Sequence, residues 1–250
     1  MIKIAHASIS EHNTVNGKAG DQTHKEVCVR DWYKSASKPW TAVLRHPDDK
    51  ISFKMADYAL MIAENDCVGY SQAERNTLYK QLELHNFDVA SYLASNYPTN
   101  TDCSAFMTAV AVCAGIDRLR YTSNAPTTRS MVLAFKNAGF NVLTDSQYLD
   151  GYDYLRKGDI LVRDGHTVIV LNSGDKSRYR QVIYYPQYTG KSRSFVEALV
   201  AVGVKDTSFE ARKQIAEMNG YMRNAYSGSA TQNSRLLSML KDGKLTKEIE

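Results

Sequence analysis

What this sequence lacks narrows its chemistry first. Its four cysteines, Cys28, Cys67, Cys103 and Cys113, form no Cys-x-x-Cys pair, and its six histidines form no His-Glu-x-x-His. Zinc is disfavoured, no metal or other cofactor is expected, and scattered cysteines in a chain of 250 residues do not indicate a disulfide framework. No window approaches the apolar run that a membrane-spanning helix needs, so no membrane partner is expected. The start, Met1-Ile2-Lys3-Ile4-Ala5-His6, has no apolar core of signal-peptide length. Charge of one sign is also scarce: 31 Lys and Arg against 27 Asp and Glu leave a net charge of +4, too little to imply a nucleic-acid partner. What is present is apolar material, 43% of the residues, enough for a sizeable core in one large or two modest domains.

The cysteine that stands apart is Cys103, in Thr101-Asp102-Cys103-Ser104-Ala105. The run that follows, from Ala105 through Phe106, Met107 and Val112 to Gly115, reads as a buried helix ended by that glycine. Thr101 or Asp102 is its N-cap, so Cys103 falls in the first turn, where unpaired N–H groups and the positive end of the helix dipole favour a thiolate. A carboxylate beside a thiol opposes ionisation, so Asp102 is expected to cap the helix or to meet a cationic group of a substrate. Ser104 is a candidate for positioning substrate. Cys113, deep in the apolar run, has the setting of a structural cysteine.

The second half of the chain holds a single histidine, His166. Lys157-Gly158-Asp159-Ile160-Leu161-Val162-Arg163 reads as a strand, Asp164-Gly165 as a tight turn and His166-Thr167-Val168-Ile169-Val170-Leu171 as the returning strand. A histidine at the start of that strand can take a thiol proton and later return it to a leaving amine.

These residues resemble the NlpC/P60 superfamily of papain-like cell-wall peptidases and amidases, above all the catalytic modules of phage peptidoglycan hydrolases. The resemblance rests on Asp102-Cys103-Ser104-Ala105, Gly158-Asp159-Ile160 and Gly165-His166-Thr167 in that order, with Thr127-Thr128-Arg129-Ser130-Met131 leading a helix between them that ends at Asn137-Ala138-Gly139-Phe140. It covers roughly residues 95–175. It implies an α+β, papain-like (CHAP-like) catalytic domain with an antiparallel sheet, peptidoglycan as partner, Cys103 as nucleophile and His166 as base. The backbone N–H of Cys103 is the natural oxyanion donor. With no leader in view, delivery by a holin-type release from the host cytoplasm, or by a virion, is the expectation.

One position departs from that family. A third polar residue usually follows the histidine by about a dozen positions and orients its ring, and Arg178 here has no acceptor to offer. Asn172 stands at the far end of the strand, Gln181 lies on the next one, and the N-terminal segment is the remaining source. The bond cut stays open between the muramoyl–alanine amide and a stem-peptide bond. A non-catalytic virion or wall-binding protein and a thiol acyl or amide transferase are the alternative classes.

The flanks carry weaker signals. Glu26–Tyr33 alternates as a strand after the loop Gly17–Thr23, and Trp32, Tyr33 and Trp40, with Asp21, Gln22 and Glu26, are candidates for a groove wall. Ile51–Ala63 has helical spacing, and Ser71 with Glu74 reads as a capping box that starts a second helix. The division expected is a catalytic domain over 1–192 and a helical module over 193–250. That module holds helices over Phe209–Ala216 and Ser229–Leu240 and is weakly similar to small wall-binding modules through Tyr226, Gly228, Gln232 and Asn233. A helical extension of the catalytic domain is the competing reading.

Overall fold

The computed structural model describes residues 1–177, 183–221 and 225–247. The chain divides into two compact units, Met1–Arg178 and Tyr179–Glu250. Among the described residues no helix is long and apolar enough to cross a membrane.

In the first unit the elements run β1 (Lys3–Ala7), β2 (Val27–Asp31), β3 (Ala42–Arg45), α1 (Asp49–Ala63), β4 (Val68–Tyr70), α2 (Thr77–Leu84), α3 (Val89–Ala94), β5 (Thr99–Thr101), α4 (Cys103–Cys113), a 3-10 turn, α5 (Met131–Asn137), β6 (Asn141–Leu143), α6 (Ser146–Leu149), β7 (Ile160–Arg163) and β8 (His166–Val170). Six strands form one sheet in the order β2-β1-β8-β7-β3-β6, every neighbouring pair antiparallel. The fold is therefore α+β with an antiparallel sheet, as expected. A separate parallel ladder joins β4 to β5, immediately ahead of α4.

Period-two alternation sends the strands' side chains to two different cores. Ala5, Ala7, Ile160, Val162 and Ile169 pack with α1, α2 and α4, whereas Ile4, Val43, Leu161, Val168 and Val170 pack with Trp40 and Leu155 on the other face. Helix α4 runs through the first core with all eleven of its residues buried. Such a helix is held by apolar contact on every side, so its N-terminus is a rigid platform.

The Gly158-Asp159-Ile160 motif has a packing reason at each position. A Cβ on Gly158, whose φ is +88°, would lie 2.2 Å from the backbone oxygen of Ser52 in α1. Asp159 is buried and accepts from Arg45 at Nε (2.7 Å) and Nη2 (2.6 Å), and Ile160 enters the core. The Asp164-Gly165 turn closes β7 onto β8 with Arg163 opposite His166, and Gly165 takes φ +72°. The two-residue hairpin read from the sequence is present.

Ser71 does not start a helix. Its N–H donates to the Thr101 carbonyl at 3.0 Å and its backbone bridges to Asn16, so α2 begins only at Thr77. The Ser71 hydroxyl still accepts the Glu74 N–H at 3.3 Å, half of the expected box, spent on a turn.

The second unit contains β9 (Ile183–Tyr184), α7 (Phe195–Ala201), α8 (Phe209–Met218), α9 (Ala230–Lys241) and β10 (Thr246–Lys247). This unit begins at Tyr179, and Tyr185 and Tyr188 pack on the same core as Phe195, Leu199, Ile215, Leu236 and Leu240. Helix α7 is capped by Ser194, whose hydroxyl accepts the Glu197 N–H. Ser229 and Gln232 form a complete capping box on α9. The Tyr-x-Gly-x-x-x-Gln-Asn pattern is spent on the turn before that helix: Tyr226 Oη donates to Asn233 Oδ1 (2.5 Å), Asn233 Nδ2 donates to the Gly228 carbonyl (3.0 Å), and Gln232 Oε1 accepts the Ser227 N–H (2.8 Å).

Candidate active site

Asp102 is the N-cap of α4, its Oδ1 accepting the Ala105 N–H at 2.7 Å. That places Cys103 at the first helical position, 6% exposed. The backbone N–H groups of Thr167, on β8, and of Ser104 lie close enough to favour its thiolate, though less than its surroundings oppose it. Burial, and after it the Asp102 carboxylate, pushes the thiol up to about 12, so at rest it is protonated.

His166 is the residue beside Thr167. Its Nε2 lies 3.3 Å from Nδ1 of His6, which stands on β1, and the rings meet edge to face at a centroid distance of 5.4 Å. Trp40 stacks on its other side at 6.3 Å. Burial, then the positive Arg163 and Arg30, brings His166 down to about 4; burial, then His166 and Arg30, brings His6 down to about 3. Both rings are neutral near pH 7, so each carries one proton.

A third group fixes where those protons sit. Cys28, directly across the β1–β2 ladder from His6, has its sulfur 3.5 Å from His6 Nε2, and its S–H donates to the Lys25 carbonyl at 3.4 Å. With the thiol proton on Lys25, Sγ accepts from His6 Nε2–H. His6 Nδ1 is then an acceptor, His166 Nε2 carries the proton that meets it, and His166 Nδ1 keeps a free lone pair. This is the one arrangement that satisfies all three contacts.

Asp102 and Ser104 turn inward. Arg75 binds Asp102 through Nε at 2.5 Å and Nη2 at 3.2 Å, Ser104 Oγ through Nη2 at 2.8 Å, and the Ala125 and Pro126 carbonyls. Ser104 Oγ in turn donates to Asp102 Oδ1 at 3.0 Å. The network locks the helix start and balances the carboxylate charge next to the thiol. Asp21 and Glu26 brace the neighbouring loop: Asp21 accepts the Glu26 and Val27 N–H groups, and the fully buried Glu26 accepts from Gln22 and Tyr70. Neither these nor Trp32, which packs on Tyr152, line the groove beside His166.

That groove, about 380 Å³, is bounded by His6, His166, Tyr33, Arg30, Lys38 and Arg163 among others. Cys103 is not in its lining. Among the described residues no group of three or more His, Cys, Asp or Glu side chains is placed to hold a metal. Of the three downstream positions named for orienting the ring, Asn172 accepts the Lys3 N–H at 2.6 Å, and Arg178 and Gln181 lie outside the described residues. Sequence reasoning passed over His6 and Arg75 as site residues, since neither lies within a recognisable motif.

The family model described as endolysin-like domain matches residues 4–177, more than two thirds of the chain and nearly all of the first unit. The chain belongs to the endolysin-like domain family. No curated protein and no solved structure gives a match. An endolysin-like domain points to a phage lysin acting on the cell wall, and hence to peptidoglycan as its substrate. Its matched region includes His6, Cys28, Cys103 and His166. Chemically, the endolysin-like domain offers a thiol at a helix start, a neutral imidazole with a free ring nitrogen on the adjoining strand, and a cationic groove beside it.

Proposed function

We propose that this endolysin-like domain is a cysteine-dependent peptidoglycan amide hydrolase of papain-like, NlpC/P60 type. The observation that carries the reading is Cys103 at the start of α4, with the N–H of Thr167 near its thiol and, next to Thr167, a histidine whose ring is held by His6. Cys103 S–H gives its proton to His166 Nδ1 as sulfur attacks the amide carbonyl carbon. The first-turn N–H of Cys103 stabilises the oxyanion. His166 then protonates the departing amine as the C–N bond breaks, and water, deprotonated by the same ring, opens the thioester. Because thiol and imidazole are both neutral at rest, proton transfer accompanies attack and no standing thiolate–imidazolium pair precedes it. Asp102 and Ser104, committed to Arg75, set the helix start in this reading and need no contact with substrate. The second unit is proposed to hold the enzyme on the wall.

A second reading has a specific observation behind it: Cys28 Sγ contacts His6 Nε2, and Cys28 is more exposed than Cys103. There Cys28 is the nucleophile, His6 the base and His166 the orienting ring. Clearing of susceptible cell walls separates the two. Cys103→Ala should abolish lysis while Cys28→Ser retains most of it; the reverse pattern transfers the chemistry to Cys28. If both variants clear walls like the parent, thiol catalysis is wrong. Mass analysis of the released fragments identifies the bond.

A further inference from the structure

We propose that the groove beside His166 is a subsite for a free carboxylate on the peptide being cut. The inference rests on the reading of His166 as part of a thiol hydrolase, and its grounds lie in charge and preorganisation. Both histidines in the groove are neutral near pH 7, so its charge comes from Arg30, Lys38 and Arg163 against one carboxylate, Asp164. None of the three cations has an ion-pair partner among the described residues, whereas Arg45 and Arg75 nearby in the fold are each closed onto an aspartate.

Two of the cations, Arg30 and Arg163, are also held in place before any ligand arrives. The Arg163 guanidinium lies 5.1 Å from the Trp40 ring and 5.5 Å from the Tyr33 ring, with Nη1 donating to the Lys38 carbonyl at 2.7 Å and Nη2 to Tyr33 Oη at 3.3 Å. Arg30 sits 4.6 Å from the same Tyr33 ring. Two guanidinium groups thus clasp one aromatic ring at the groove wall. Stacking restrains the long side chains, so less rotamer freedom is lost when an anion binds. Planar guanidinium edges match a planar carboxylate, and Trp40, backing both Arg163 and His166, ties the subsite to the candidate base.

The subsite should discriminate between a carboxylate and a carboxamide at the same position of a peptide. The test uses two muropeptides identical except that one carboxylate near the scissile amide is a carboxamide in the second. Binding to the full-chain Cys103→Ala protein is read by calorimetry, and kcat/KM is read on the parent enzyme. The acid form should bind about tenfold or more tightly, as expected for losing one hydrogen-bonded ion contact, and the gap should narrow in high salt. Arg163→Gln, and separately the exposed Arg30→Gln and Lys38→Gln, should bring the acid-to-amide ratio toward one, chiefly through KM. Arg30 and Lys38 are exposed, so their variants keep the test valid if Arg163→Gln fails to fold.

Equal binding of acid and amide by the parent site, or variants that weaken both equally, overturns the proposal. So does stronger competition by a phosphate polymer than by the acid peptide, which would make the groove a phosphate site. Failure of the thiol reading shows separately: Cys103→Ala would then still cut the peptides, whatever the binding ratio.

Discussion

Nδ1 of His6 lies 3.3 Å from Nε2 of His166, although the two residues are separated by most of the first unit. Pairing of β1 with β8 brings them together. In the proposed thiol mechanism the relationship gives the ring of His166 an orienting partner.

His6→Ala should lower kcat by about tenfold or more, with a smaller effect on KM, because the ring of His166 loses its orienting partner while substrate contacts stay. His6→Asn or His6→Gln should recover part of the loss by offering an acceptor again. Circular dichroism checks that each variant is folded. An unchanged kcat in His6→Ala would remove His6 from the machinery.

The acid limb of kcat/KM should have its midpoint near 4, not near the ordinary 6.5 of histidine, since His166 must be neutral to accept the thiol proton and its environment disfavours the charged ring. A pH–rate profile on a substrate without titrating groups in that range measures it. A midpoint at 6 or above would mean that the base is a more solvated group.

Stability should also depend on pH through His6. Its folded value, about 3, lies below the unfolded 6.5, so the unfolded chain binds a proton that the folded one does not. The contribution is complete above 6.5 and is lost as pH falls from 6.5 toward 3, at up to about 1.4 kcal/mol per pH unit. Denaturation midpoints at pH 7 and pH 5 should differ, and the difference should shrink in His6→Gln.

Arg75→Met should destabilise the first unit by about 3–5 kcal/mol, because Asp102 would remain as a buried carboxylate without its cation. Arg75→Met combined with Asp102→Asn should recover much of that loss, since the asparagine still caps α4. Chemical denaturation of the three variants reads the coupling; simple additivity would show that the pair is not a unit.

The two motif glycines should behave differently. Gly165→Ala has open space for its Cβ but keeps φ +72°, and should cost about 1 kcal/mol or more while leaving a folded protein. Gly158→Ala drives a Cβ to 2.2 Å from a backbone oxygen and should largely prevent folding. Soluble yield and thermal midpoint distinguish the two.

How much was legible can be judged residue by residue. Helix α4, its Asp102 cap and the Asp164-Gly165 hairpin are local: hydrophobic period, capping chemistry and turn chemistry act over a few residues, so order along the chain suffices to read them. The start of α2 was misread because Ser71 bonds to Thr101 and bridges to Asn16, partners that no local pattern reveals. Arg75 was passed over for the same reason: a lone arginine among polar residues shows nothing of the aspartate it will meet.

By itself, the sequence determined an α+β chain with a cysteine opening a buried helix and a histidine opening a strand, because those features depend on near neighbours. Only the tertiary structure decided that β1 lies against β8 and parts from it beyond Ala5, that His6 meets His166, and that Arg30, Lys38 and Arg163 converge on one groove. These are products of strand pairing between distant segments. Pairing is selected by the burial of both faces of the whole sheet, which no single segment encodes.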